Sequence, residues 1–96
     1  MAKQSKSGWK AFLQLCKNTE SIEQLDQLFQ FISTLEERDA MAKRVELVRE
    51  LLKGEKSQRE ISSDLGVSIA KITRGSNSLK IISQSLSAYL KRQLLK

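Results

Sequence analysis

No proline occurs anywhere in these 96 residues, and glycine occurs only four times. Those two residues set most tight turns, so a sheet built from hairpins is a poor fit, whereas long helices with short joints follow easily. The apolar residues repeat at helical spacing. Trp9, Phe12, Leu13 and Cys16 stand three and four apart within residues 8–20, and Ile22, Leu25, Leu28, Phe29 and Ile32 mark a second short helix. The run STLEER then starts a third, with Thr34 as N-cap and Glu37 closing a capping box. Met41, Val45, Val48, Leu51 and Leu52 form its expected inner face, and Gly54 ends it. Ser57 and Glu60 make a second capping box. Its helix carries Ile61 and Leu65 and stops at Gly66. Ser68 caps the next helix, and after the polar joint SQS the residues Leu86, Tyr89, Leu90 and Leu94 form the last. The pattern predicts an all-α subunit of six helices with no internal repeat.

Such a subunit has a thin core. Only five residues are aromatic, and many apolar positions sit on short helices near both ends, where one small chain offers few partners. A homodimer that shares those faces is the expected solution, and a compact monomeric bundle is the alternative.

Charge is unevenly placed. The chain carries a net +6, but residues 1–64 hold eleven Lys/Arg against eleven Asp/Glu and sum to zero. Residues 65–96 hold Lys71, Arg74, Lys80, Lys91, Arg92 and Lys96 and no acid. A one-signed segment of this kind suits a polyanion, and nucleic acid is the commonest one. The same sequence argues against an enzyme: it has no histidine, its single Cys16 lies on an apolar helix face, and no metal-ligand cluster is evident. One cysteine also excludes an internal disulfide framework and suits a reduced, cytoplasmic setting. No apolar run approaches the roughly 20 residues that span a bilayer. Residues 1–7, polar and basic, are expected to form a loose arm ahead of a single domain over 8–96.

Gln58 to Asn77, QREISSDLGVSIAKITRGSN, has the organisation of a helix-turn-helix, the unit that enters the DNA major groove. Ile61, Leu65, Val67 and Ile72 are placed to fix the angle between its helices, Ser62 is small where they approach, and Gly66 supplies the turn. The second helix presents Ile69, Ala70, Lys71 and Thr73 from its N-terminal half. Its first-turn amides after Ser68 face a phosphate. Gln58 and Arg59 open the first helix, and Arg59 is the best candidate for a bidentate contact to guanine. Ser62, Asn77 and Lys80 complete the DNA-facing set. Within that second helix, Gly75 falls where an apolar side chain is due, although glycine costs a helix on the order of 1 kcal/mol against alanine.

GEKSQREISSDLG followed by IAKITRGSNSLK resembles the tryptophan repressor family, homodimeric bacterial regulators that bind operator DNA when loaded with L-tryptophan. The likeness runs from about Leu28 to Lys80 and more loosely beyond. It implies six interlocking helices per subunit and an explanation of Gly75: the missing side chain leaves a slot that the indole ring fills between two arginines, which match Arg44 and Arg74. Arg74 is further implied to meet the ligand's carboxylate. Thr34 and Ser78 match positions that hold its polar end, Val48 lines the slot, and backbone carbonyls around Phe31 and Ser33 receive the ammonium group. Three positions depart from the family pattern. Ser33 replaces a leucine, Ser62 a lysine and Lys71 a threonine. The expectation is therefore a helix-turn-helix repressor of tryptophan biosynthesis or transport operators, with L-tryptophan as corepressor. Its rivals are a regulator answering to another small molecule or to none, and a nucleoid-type protein without sequence choice. A kink or a close helix crossing is the structural alternative for Gly75.

Overall fold

The computed structural model describes residues 6–96. Among these, six helices and no strand occur: α1 (Lys6–Lys17), α2 (Ile22–Ile32), α3 (Leu35–Lys53), α4 (Gln58–Leu65), α5 (Ile69–Ile81) and α6 (Gln84–Leu94). The all-α class and the helix count are as the spacing predicts. Lys6 and Ser7, assigned to the basic arm, instead begin α1, and the rest of that arm lies outside the described residues. No helix among the described residues is long and apolar enough to cross a membrane. The chain divides inside α3, after Arg38, into two compact units.

The first unit is held by aromatic contacts and by its joints. Phe12 of α1 meets Phe29 of α2 edge-on at 5.6 Å between ring centroids, and Trp9 lies 5.5 Å from Phe12. Ser21 caps α2 by accepting from the Gln24 amide. At the end of α2, Arg38 Nη1 donates to the Ser33 carbonyl at 2.7 Å and to the Phe29 carbonyl at 3.2 Å. A cation here complements the negative end of the helix dipole, beside a Phe29 carbonyl that the Ser33 amide and hydroxyl also reach. The Thr34–Glu37 capping box forms in both directions, at 2.8 and 3.1 Å. The two Thr34 bonds hold the Glu37 carboxyl below its ordinary range. Neither α1 nor α2 contains a buried residue. Ile22 is 78% exposed and Phe31 88%.

The second unit has a core, and it is small. Leu47 of α3, Ile61 of α4 and Ile72 of α5 are buried, and Leu51, Leu65 and Val67 pack against them. The Ser57–Glu60 capping box, the Ser68 cap and the left-handed Gly66 (φ 66°, ψ 34°) are all present. That φ is open to glycine at little steric cost and is uncommon for any residue with a Cβ. Ser62 Oγ donates to the Val67 carbonyl at 2.6 Å and ties α4 to the far side of the turn. Ser83 caps α6.

Two parts of the expected interior are corrected. Val45 is 47% exposed, and the buried residue of α3 is Leu47. The cause is that α3 has two apolar stripes. Met41, Val45, Val48 and Leu52 form one, and Leu47 and Leu51 form another roughly a third of a turn away at 3.6 residues per turn. The core takes the second. On α6, Leu86 and Tyr89 are also exposed, leaving Leu90 and Leu94 as its partly covered apolar residues.

Candidate functional site

Helix α5 divides its circumference among three tasks. At 100° per residue, Ile72 and Leu79 share one side, and Ile72 reaches the core. Ile69, Ala70, Thr73, Asn77 and Lys80 fall on a second side, and all five are exposed. Between these faces run Lys71, Arg74, Gly75 and Ser78, which with Ile82 just past the helix line a cavity of about 470 Å³. Arg44, Leu47 and Val48 of α3 and Leu90 of α6 contribute to the rest of its wall.

The cavity brings together Arg44, Val48, Arg74, Gly75 and Ser78 of the expected ligand set. Phe31, Ser33 and Thr34 belong to the first unit, at the joint between α2 and α3, where the Ser33 carbonyl accepts from Arg38 as described. Two cations went unanticipated as cavity residues. Lys43 precedes Arg44, and Ala40, Lys43, Arg44 and Leu47 follow one another at three- and four-residue spacing along α3, the signal that finds it. Lys71, expected on the DNA face, lies on the cavity side of α5. The lining therefore carries Lys43, Arg44, Lys71 and Arg74 and no carboxylate, over an apolar floor of Leu47, Val48, Val67, Leu79, Ile82 and Leu90. This combination accepts an apolar body bearing a negative group. Ser78 Oγ donates to the Arg74 carbonyl one turn back, at 2.9 Å, and keeps its lone pairs free to accept.

Gly75 has a role beyond an empty slot. A Cβ built there lies 3.2 Å from Leu47 Cδ2 and 3.5 Å from Leu51 Cδ1. The glycine lets α5 approach α3 closely and forms part of the cavity wall at the same time. A close helix crossing, the structural alternative, is thus realised alongside the cavity.

Of the expected DNA contacts, Gln58 and Arg59 are exposed on the first turn of α4, and Ser68 is exposed at the cap of α5. Ser62 departs from the expectation: it is half-buried and its hydroxyl donates within the turn. The exposed set lies on the helix-turn-helix, whose second helix turns a different side toward the cavity.

Residues 7–94 match the family model described as Trp repressor protein. The chain belongs to the Trp repressor family. It is similar to the Trp operon repressor homolog of Chlamydia trachomatis serovar D, with 43% identity over 94 residues, covering 98% of this chain and all of that one. The Trp operon repressor homologs of Vibrio vulnificus and Vibrio cholerae are 49% and 47% identical, over 90% and 93% of this chain and 84% and 86% of their own length. The Trp repressor family is one of DNA-binding transcription regulators.

Proposed function

We propose that this chain is a transcriptional repressor that binds operator DNA as a homodimer and takes L-tryptophan as its corepressor, acting in the cytoplasm on operators of tryptophan biosynthesis or transport. The observation that carries the proposal is the cavity itself. Two guanidiniums, from Arg44 on α3 and Arg74 on α5, border an apolar floor on the side of α5 adjacent to its reading face. A flat aromatic ring between two guanidiniums gains stacking and cation–π attraction, and the carboxylate meets Arg74 with Lys71 beside it. The family resemblance adds the carbonyls of Phe31 and Ser33 and the Thr34 hydroxyl as receivers of the ligand's polar end.

Filling the cavity changes how α5 is supported against α3. The ligand thereby sets the presentation of Ile69, Ala70, Thr73, Asn77 and Lys80 to the groove, while Gln58 and Arg59 engage the flanking phosphates or a guanine edge. Two heads of a dimer then address major grooves roughly 34 Å apart. The exposed apolar residues of the first unit, Phe31 and Ile22 among them, support the dimer.

Isothermal calorimetry of L-tryptophan against the purified protein, with sedimentation on the same sample, tests this reading. One ligand per chain on a dimer is expected, and absence of heat at millimolar ligand on a folded dimer contradicts it. Four cations without a carboxylate favour one second reading, a different small aromatic or apolar anion as effector. The same titration with a panel of such acids separates the two.

A further inference from the structure

Lys56 stands two residues ahead of Gln58, at the edge of the reading head, where a lysine is naturally counted among phosphate contacts. Its surroundings say otherwise. Lys56 Nζ lies 3.0 Å from Glu50 Oε2 on α3 and 2.7 Å from Asp64 Oδ2 on the last turn of α4. Glu50 is also approached by Lys53 at 3.7 Å. The two helices are joined only by residues 54–57, so one ammonium in that short joint bonds both of them.

We propose that Lys56 is a positioning residue for DNA recognition: by holding Glu50 and Asp64 together it sets the angle at which α4 leaves α3, and through the α4–α5 packing the presentation of the reading helix. This rests on the proposed function and adds to it the residue that orients the head. Three observations support the assignment. The two carboxylates lie within about 6 Å of one another because both bond one nitrogen, and like charges that close repel without a cation between them. The Glu50 side chain is only 13% exposed, so that end of the bridge is shielded from water, while Lys56 and Asp64 are 38% and 50% exposed. The Lys56 ammonium, with Lys53 beside it, holds the Glu50 carboxyl below its ordinary range, so the pair stays ionised through neutral pH. With both acids engaged, Lys56 has little charge left for a phosphate.

The test uses the full chain with saturating L-tryptophan and the tightest duplex recovered from a randomised pool, measured over a range of salt concentrations. Lys56→Met is expected to weaken binding to that duplex about fivefold, the scale of an ion-pair coupling near a surface, while the slope of log affinity against log salt stays unchanged. Lys56→Arg, which can bond both carboxylates, is expected to restore affinity. Asp64→Asn removes one arm without leaving two facing charges and should give a smaller loss, which keeps the proposal testable if Lys56→Met folds poorly. A slope reduced by about one with equal loss on random DNA identifies a phosphate contact and overturns the proposal. Full affinity in both Lys56→Met and Asp64→Asn overturns it as well, while leaving the repressor reading intact. Failure of the unaltered protein to select any duplex removes both.

Discussion

The two units of this chain reach order by different routes. The second has a buried centre of Leu47, Ile61 and Ile72, a left-handed glycine at its turn and capped helices. The first has no buried residue in α1 or α2, although its joints are as well hydrogen-bonded: Ser21 caps α2, Arg38 caps its far end, and Thr34 and Glu37 close a capping box. Caps specify where helices begin and end, but they do not supply burial. Each is worth about 1 kcal/mol, whereas burying a Leu or Phe side chain contributes about 1.5–3 kcal/mol. The difference teaches that the reading head can be specified largely within one chain and that the first unit needs a second surface. In the proposed dimer the partner provides it.

This comparison can be broken in four ways. The largest effect is expected from Phe31→Asp: Phe31 is 88% exposed in the single chain, and if the proposed dimer covers it, a charge there should turn dimers into monomers by sedimentation. Unchanged association removes Phe31 from the shared surface. Ile72→Ala attacks the other unit at its centre and should cost about 2–5 kcal/mol in denaturant unfolding, far more than truncating an exposed apolar residue of α5 such as Ile81, which is 84% exposed. A loss below 1 kcal/mol contradicts the core described. Gly75→Leu forces a side chain toward Leu47 and Leu51. It should cost about 1–3 kcal/mol by overpacking and abolish L-tryptophan binding in calorimetry. Retained binding means that α5 need not lie close to α3 for the cavity to work. The smallest effect is expected from Ser57→Ala, about 1 kcal/mol by thermal melting, and Thr34→Ala at the matching box of α3 should cost a similar amount. A much larger loss at Thr34 points to a further role there.

The reading head was legible in the sequence because its signals are local. Ser57, Glu60, Gly66 and Ser68 act within three or four residues of themselves, and Ile61 and Ile72 follow helical spacing. The interior of α3 was less so. Two stripes about a third of a turn apart, one with Val45 and one with Leu47, both follow helical spacing, and only the arrival of α4 and α5 decides between them. Lys43 and Lys71 were missed as cavity residues for a related reason, since both are exposed and a cation on a helix reads as solvated until another helix shapes a cavity beside it. Ser62 was drawn to the DNA face by its position, yet a 2.6 Å bond to the Val67 carbonyl within the turn engages its hydroxyl. Arg38 gave no sign of its task, because bonding to the carbonyls of Phe29 and Ser33 needs the chain to turn back between α2 and α3.

The central claim is that one helix, α5, couples a ligand cavity on one side to DNA on another. The most direct measurement is the affinity for L-tryptophan by calorimetry, taken with and without a saturating duplex selected from a random pool. Linkage requires the DNA to tighten L-tryptophan binding by the same factor by which L-tryptophan tightens DNA binding, about 5- to 150-fold for a typical coupling of 1–3 kcal/mol. An L-tryptophan affinity identical in the two titrations would contradict the account.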